Sequence, residues 1–544
     1  MATDADRNEE RTGAGAVVEL VLHGPFSLCA LSDGADLSPR PHKSRALLAM
    51  LALAPEQRRS RRWIEERLWS DRAPQQAAGS LRQALVDLRK ALTPHDDILI
   101  ADREWLSLRP EALRLRGACE SSGDLLEGVT VRDPAFQRWL DSARRGAAAG
   151  SGASGLIRCD PRPAAEPITL RCTTSNLPGT GSGIVAEIIA ARIAADIADH
   201  VTACTLSQGR DQPGQPPADL EITCNVIEDN GICLAFIKIL HLPTGRVLFS
   251  RDCRFVGTAT SLAGSEALVQ AAYEAAERTV ARAPHVLGVA RDASKSAALG
   301  QLALHKMFSF DEVQLAEADR LMEQAWEVEG NTVHLAWRGL LQMVKAIELS
   351  QAQRPELHDI AHSLTSHAME RRDGNSTVKA LVSQTRAMLF GDAVAAGQAA
   401  QAALEENPRN PFALQAMAVA KMLAGEGEEA YRLSALGRLY AGRSTFRHWW
   451  DAHHATVCVA TGRVDEAIKA AETAAFAAPS LRPAYRYLLS LYAHQGDLDR
   501  ANRMKERLEQ IEPGFSLDRM LGDPDYPVRT LRKTGLLREL RKLM

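Results

Sequence analysis

The sequence has few aromatic residues, and its cysteines lack the paired spacing of disulfide-linked extracellular domains. Aromatic residues make up 5% of its 544 residues, and its nine cysteines are odd in number and widely scattered. Isolated cysteines of this kind act as small core residues in a reducing compartment, which argues against a disulfide framework. The most apolar stretch, residues 184–198, contains three charged side chains and is too polar to span a bilayer. We therefore expect a cytoplasmic protein with no membrane contact.

Catalytic and cofactor motifs are missing as well. Ser, His and Asp residues occur without a nucleophile motif. The segment LPGTGSG (177–183) separates a strand pattern from a helix pattern, where backbone amides can bind an anion. It lacks the Lys-Ser/Thr ending of a phosphate loop and the full dinucleotide-binding spacing, which favours a plain connecting loop. The sequence thus predicts neither enzymatic activity nor a cofactor.

One group of metal-binding residue types occurs in FRHWWDAHHATVC. It contains His448, His453, His454 and Cys458, and the last two share one helix face at a spacing of four. A structural zinc site needs four ligands, and no matching second pair is visible in the sequence. Packing between helices is therefore favoured over zinc, and we predict no metal site.

The segment from Arg40 to Arg109 carries the most informative pattern. It has 14 Lys and Arg against 9 Asp and Glu, in a chain whose net charge is −3. Such a local positive excess is typical of a phosphate-binding surface, although a solvated face of an ordinary helical domain is the simpler interpretation. Apolar spacing predicts helices over 42–53, over RRSRRWIEERLW with Ser60 as N-cap, and over 75–92. The runs ILIA and WLSL then predict a hairpin.

The third of these helices has one thin apolar stripe and a polar outer side. Leucines at 81, 85, 88 and 92 form the stripe, so the rest of the surface is available to a ligand. Arg can read guanine and Gln can read adenine in the major groove of DNA. The outer side carries Gln76, Gln83, Val86 and Lys90, flanked by Ser80, Arg82 and Arg89.

Residues 17–109 resemble the OmpR/PhoB-type winged helix carried by SARP-type bacterial transcriptional activators. The resemblance rests on VVELVLHGPFSL, KSRALLAML, LWSDRAPQQAAGSLRQALVDLRKAL and the final hairpin. It implies binding to double-stranded DNA, with RNA polymerase as a further partner. The DNA-binding residues that it implies are Gln76, Ser80, Arg82, Gln83, Arg89, Lys90 and, at the hairpin tip, Arg103. The tip departs from the family, which usually has Gly there: Asp102 and Glu104 flank Arg103 and would repel phosphate.

The chain continues with segments that occur in the same class of regulator. DLLEGVTVRDPAFQRWLDSARR (124–145) resembles the start of the bacterial transcriptional activator domain, and we expect Phe136, Trp139 and Leu140 to dock on the DNA-binding head. GAAAGSGASG (146–155) is typical of a flexible linker. A strand, a helix, a second strand, a three-strand meander and a closing helix follow, and this region resembles a TolB-like domain.

A repeat with a period near 34 residues occupies the C-terminal half. Alanines at 396, 430, 467 and 501 each follow a glycine five residues earlier, at 391, 425, 462 and 496. This period is that of the tetratricopeptide repeat, whose stacked helix pairs present a concave surface. We expect this region either to bind a protein or peptide partner or to pair two copies of the chain.

The sequence therefore predicts a multidomain α+β protein. The predicted function is sequence-specific DNA binding in transcription regulation, with activation implied by the resemblance and signal input expected through the repeats. The alternative is a protein-interaction scaffold whose winged helix binds protein rather than DNA. The predicted parts are a winged helix (17–112), an activator-domain-like helical segment (120–146), a linker (147–165), a TolB-like α/β domain (166–285), tetratricopeptide-like repeats (298–514) and a C-terminal tail or capping helix (515–544).

Overall fold

The protein consists of two compact units in a computed structural model, and each is considered by itself. The first unit comprises residues 1–160 and the second comprises residues 161–544. The structure describes residues 17–54, 57–72, 74–102, 105–109, 112–116, 124–148, 166–206, 217–288, 290–348, 354–370 and 375–544. The predicted linker at 147–165 lies almost entirely outside the described residues.

Two small sheets frame the first unit. Strand β1 (Val18–Val21) pairs antiparallel with β2 (Ser27–Ala30) and parallel with β6 (Leu113–Arg116). The second sheet has the order β3-β5-β4 and is antiparallel throughout. Its strands are β3 (Arg58–Ser60), β4 (Leu99–Ala101) and β5 (Trp105–Leu108). The predicted ILIA–WLSL hairpin is therefore present as the pair β4–β5.

In the described residues of the first unit, four α-helices accompany these sheets: α1 (His42–Ala52), α2 (Arg61–Leu68), α3 (Pro74–Leu92) and α4 (Pro134–Ala148). With Ser60 as its N-cap, the predicted second helix begins at Arg61, as it does in the structure, and the preceding residues Arg58–Ser60 pair with β5 as a strand. Phe136 and Leu140 of α4 belong to the same buried cluster as the leucines of α1 and α3. Helix α4 is thus part of the core of this unit.

A five-stranded sheet with the order β11-β10-β9-β7-β8 opens the second unit. Strand β7 runs parallel to its neighbours β8 and β9, whereas β9, β10 and β11 form the predicted antiparallel meander. The helices α5 and α7 cover one face, because their apolar residues share a core with the inward side chains of the strands. The elements are β7 (Ile168–Thr173), α5 (Gly181–Ala198), β8 (Ala203–Leu206), β9 (Leu220–Asp229), β10 (Ile232–His241), β11 (Arg246–Val256), α6 (Ala259–Leu262) and α7 (Glu266–Leu287).

The rest of the second unit is helical, with successive helices packed against each other. A π-helical turn, Arg386–Phe390, extends α12. The helices are α8 (Asp292–Met307), α9 (Glu312–Glu329), α10 (Thr332–Glu348), α11 (Arg354–Glu370), α12 (Ser376–Thr385), α13 (Ala393–Glu406), α14 (Pro411–Ala424), α15 (Gly427–Tyr440), α16 (Arg447–Ala460), α17 (Val464–Ala477), α18 (Arg482–Gln495) and α19 (Leu498–Ile511).

The spacing of Gly and Ala in the sequence reflects how these helix pairs turn and pack. All four repeat glycines have a positive φ, between 71° and 85°, a region that glycine enters without a steric penalty. The alanines five residues later, in α13, α15, α17 and α19, are all fully buried. Each repeat therefore ends one helix at the glycine and packs the next helix closely through the alanine. The tetratricopeptide-like organisation of this region is confirmed at the level of a helical repeat.

The C-terminal segment packs back onto the last repeats. It contains α20 (Leu517–Gly522), α21 (Arg529–Thr534) and a 3-10 helix (Leu536–Leu543). Arg486 of α18, only 1% exposed, donates to Glu512 and to the Tyr526 hydroxyl at 2.9 and 3.1 Å. Throughout the described part of the chain, every helix is too short or too polar to cross a bilayer.

Candidate nucleic-acid interface

Helix α3 is held in the first unit by its apolar side. Proline at its first position suits a helix N-terminus, because the missing N–H would have no partner inside the helix. Leu81 and Leu88 are fully buried, while Leu85 and Leu92 are 5% and 1% exposed. The predicted leucine stripe is therefore the buried side of the helix, and the opposite side faces solvent.

The solvent-facing side of α3 carries most of the predicted DNA-contacting residues. Gln76, Arg82, Gln83, Arg89 and Lys90 are all exposed. Val86 lies among them with 57% of its surface exposed. An apolar side chain on a polar face of this kind can contact the methyl group of thymine. The exposed side of α3 thus combines hydrogen-bonding, cationic and apolar groups.

Three of the predicted side chains already have hydrogen-bond partners inside the unit, and one of them, Arg82, donates from Nε to the Ala78 carbonyl at 3.4 Å. Ser80 is partly buried; its hydroxyl donates to the Gln76 carbonyl at 2.8 Å and accepts from Arg72 at 2.6 Å. Gln83 Nε2 donates to Asp87 Oδ1 at 3.1 Å, one helical turn further along. Ser80 is thus engaged in holding the start of α3, whereas Gln83 is exposed and has a partner that it can exchange.

Several cations outside α3 are engaged within the first unit. The Arg58 guanidinium lies 4.5 Å from the Trp105 ring centroid, and Arg61 Nε donates to the Asp102 carbonyl at 2.8 Å. Lys43 Nζ donates to the Leu68 carbonyl, and desolvation lowers the pKa of this lysine. The positive excess of the sequence is therefore partly used in structural contacts, and Arg82, Arg89 and Lys90 are the exposed cations of α3.

The hairpin tip is described only in part. Asp102 is exposed, and its Oδ1 accepts from the Trp105 backbone N–H at 2.7 Å, which closes the turn. Asp102 Oδ2 also lies 3.9 Å from the Arg58 guanidinium. Arg103 and Glu104 lie outside the described residues, so the expected minor-groove contact of Arg103 stays a prediction.

The loop that leads into α3 is fixed by a residue that sequence reasoning missed. Asp133, 6% exposed, accepts from both the backbone N–H and the hydroxyl of Ser70 at 2.7 Å. It also accepts from the Ala135 N–H at 2.9 Å, and so begins α4 and anchors the α2–α3 loop at once. The position of an Asp just before a helix suggests a cap, but its second partner 63 residues away appears only in the fold.

The glycine-rich loop in the second unit begins a helix. Thr180 caps α5 by accepting from the Gly183 N–H at 3.0 Å. A Cβ added at Gly183 would lie 2.4 Å from the Leu177 carbonyl oxygen, so the tight turn requires a glycine there. These contacts explain the glycine and the threonine by the geometry of the turn alone.

The three histidines and the cysteine of FRHWWDAHHATVC make two kinds of contact. His448 Nε2 lies 3.0 Å from the Phe308 carbonyl oxygen, and His453 Nδ1 lies 2.9 Å from the Trp449 carbonyl oxygen. His454 and Cys458 instead face Glu466 of α17. Burial raises the pKa of the Cys458 thiol to about 12 and lowers the pKa of His454.

A cavity of about 250 Å³ lies where α5 meets the repeats. Asp196 of α5 and Asp199, which directly follows this helix, line it together with Glu406. Asn407 Nδ2 donates to Asp196 Oδ1 at 2.7 Å and so ties the repeats to the α/β domain. Burial, reinforced by the charges of Asp196 and Glu406, raises the pKa of Asp199 to about 8. This junction therefore holds an acid that retains its proton near neutral pH.

Comparison with known proteins finds similarity only among solved structures. No protein-family model matches the chain, and no curated protein matches it. Among solved structures, a tetratricopeptide repeat protein from Parabacteroides merdae ATCC 43184 is similar at 16% identity and a TM-score of 0.25. The similarity covers 45% of this chain and 98% of that one.

Proposed function

We propose that the protein is a sequence-specific DNA-binding transcriptional regulator in which α3 reads the major groove. The observation that carries the proposal is the two-sided character of α3. Its leucine stripe is buried, while Gln76, Arg82, Gln83, Arg89 and Lys90 are exposed on a single 19-residue helix. A helix held by one narrow side can enter a groove about 12 Å wide with its remaining surface.

The side chains of α3 divide into two roles in this proposal. Gln83 reads a base edge, because an amide can make the paired hydrogen bonds that adenine offers. Arg89 and Lys90, in the last turn, contact phosphates, which position the protein without reading sequence. Asp87 holds Gln83 at 3.1 Å in the free protein, and a base edge replaces this partner on binding.

The finer assignment rests on the family resemblance. We propose that the first unit is a winged helix of the SARP type, that the β4–β5 hairpin is its wing, and that the sheet of the second unit is TolB-like. The order of helices and the antiparallel hairpin after α3 support the winged helix. Activation through RNA polymerase in a bacterial cytoplasm follows from the same resemblance.

The repeat region is proposed to supply the second half of the function. Helical repeats offer extended surfaces to a protein or peptide partner, or to a second copy of the chain. Joining two heads would raise DNA affinity through effective concentration without a new base contact. The expected operator then has two copies of a short site about one helical turn apart.

A binding experiment with the full chain tests this proposal. Binding to double-stranded DNA fragments is measured by fluorescence anisotropy at several salt concentrations. The slope of the logarithm of the binding constant against the logarithm of the salt concentration should fall in magnitude by about 1 for Arg89→Ala. Gln83→Ala should relax discrimination at one base pair by about 1–3 kcal/mol. Arg503→Ala, which removes an exposed charge from α19 in the other unit, is the matched control and should change neither quantity.

The same experiment distinguishes DNA binding from the alternative function, a protein-interaction scaffold. The scaffold is favoured by the helical repeats, which do not need DNA to bind a partner. A wild-type chain that shows no salt-dependent binding to any fragment would reject the DNA-binding proposal and favour the scaffold. Equal weakening on all sequences by Gln83→Ala would reject the base-reading role alone.

A further inference from the structure

Three metal-binding side chains from two consecutive helices meet inside the repeat region. His454 and Cys458 lie one turn apart on α16, and Glu466 lies in the first turn of α17. Their ligand atoms all lie within 4.8 Å of one another. His454 Nε2 is 3.0 Å from Glu466 Oε1 and 3.5 Å from Cys458 Sγ. We propose that these three residues bind one divalent transition-metal ion, with Zn²⁺ as the best fit.

Two of the three separations between the ligand atoms are close to those of a tetrahedral zinc site, and the third, between Cys458 and Glu466, is no more than 4.8 Å. Zinc bonds of about 2.0–2.3 Å at tetrahedral angles place neighbouring N and S ligands about 3.5 Å apart, and N and O ligands about 3.4 Å apart. The observed His454–Cys458 separation is 3.5 Å, and the His454–Glu466 separation is 3.0 Å. Small side-chain shifts are therefore enough to admit the ion.

The chemistry of the three ligands balances the charge of the ion. A cysteine thiolate and a carboxylate together neutralise a 2+ ion, and the imidazole stays neutral. The thiol gives up its proton to solvent when the metal–sulfur bond forms, so one proton is released for each ion bound. The nearby cations Arg438 and Arg463 are paired with Asp451 and Glu428, which limits their repulsion of the metal.

The surroundings orient the ligands and leave one direction open. Ser434 Oγ lies 3.0 Å from His454 Nδ1, and a hydroxyl there can accept a hydrogen bond from Nδ1–H, which favours the tautomer whose unprotonated Nε2 can bind metal. Tyr431 donates to the second Glu466 oxygen at 2.9 Å. The His454 and Glu466 side chains are 1% and 39% exposed, and Cys458 is fully buried, so water can supply the fourth ligand from the Glu466 side.

Metal binding at this site would join two successive helices of the repeat array directly, and a third through a hydrogen bond to one of the ligands. Ser434 belongs to α15, while the ligands belong to α16 and α17. The ion would therefore stabilise the packing of two adjacent repeats, in the region proposed to bind a partner. A ligand that binds only the folded state raises the temperature of unfolding by mass action.

Cobalt titration of the full chain tests the site, because Co²⁺ occupies zinc sites and reports thiolate binding by its near-ultraviolet absorption. The wild-type chain should bind one Co²⁺ with this band, and one equivalent of Zn²⁺ should remove it. Cys458→Ser should abolish the band, whereas Cys224→Ser, which alters another buried thiol in β9, should retain it. Ser434→Ala should weaken the affinity about 10–100-fold.

The contrary results are equally specific. A wild-type chain that gives no thiolate band with Co²⁺, or a band that survives in Cys458→Ser, would overturn the proposal and leave a hydrogen-bonded network between helices. A wild-type titration without a thiolate band rejects the site even if a variant fails to fold. Circular dichroism identifies a variant that fails to fold. Glu466→Gln, which preserves the shape of the site, then replaces that variant in the Co²⁺ titration.

Discussion

Replacing Phe136 by Ala should destabilise the whole first unit, although Phe136 lies beyond the segment that resembles a winged helix. Its ring is fully buried and lies 5.4 Å from the Trp139 ring centroid. It shares one core with the leucines of α1 and α3. Truncation of a buried Phe to Ala costs about 3–5 kcal/mol, because the apolar contacts are lost and a cavity remains.

Amide hydrogen exchange on the full chain measures this loss within one unit. Since each 1.4 kcal/mol is about tenfold, exchange of the α1 amides should accelerate by at least about 10²-fold. Peptides from the repeats serve as the internal reference and should not change. Val86→Ala, at a site 57% exposed, is the matched variant and should alter stability by no more than about 0.5 kcal/mol. Faster exchange confined to residues 124–148 would refute the reasoning, because α4 would then be peripheral.

Three further results are expected. Asp87→Asn should strengthen DNA binding severalfold at low salt, because it removes a negative charge beside Gln83, and the gain should vanish at high salt; unchanged affinity would argue against α3 as the interface. The pKa of Asp199 is raised to about 8, so the folded state keeps a proton that the unfolded state loses, and stability should fall as pH rises from 4 to 8. Asp199→Asn should reduce this pH dependence of the free energy of unfolding, measured by chemical denaturation, by roughly 1–3 kcal/mol, because the side chain is only partly buried. An unaltered pH dependence would contradict the assignment. Arg486→Ala leaves the Glu512 carboxylate buried without its charged partner and should cost about 3–5 kcal/mol in the same assay, more than an exposed control such as Arg503→Ala.

Much of the local structure follows from short-range patterns. The leucines of α3 repeat at helical spacing, and they are the buried side of that helix. The alternation of apolar residues in residues 219–255 predicts the three-strand meander, which pairs as expected. The role of α3 in DNA binding is a prediction of the same kind, whose chemistry rests on exposed residues such as Gln83 and Arg89.

Other features depend on residues that are far apart in the sequence. The residues that precede α2, Arg58–Ser60, form a strand because β5, more than 40 residues later, offers a partner. Asp133 anchors a loop 63 residues earlier, and nothing in its neighbours indicates Ser70 as the partner. The sequence predicts that Phe136, Trp139 and Leu140 dock on the preceding segment, but only the fold shows that Phe136 and Leu140 share one core with α1 and α3.

The helix and strand periods and the 34-residue repeat can be predicted from the sequence alone, because each is a pattern of residue types along the chain. The repeat glycines act through local backbone geometry and the alanines that follow act through their small size, and both can be identified from the sequence alone. Only the tertiary structure placed Glu466 beside His454 and Cys458, and Asp196 and Asp199 beside Glu406. Such groups meet where different elements pack, and the angle and register of that packing are set by the whole core rather than by any local pattern.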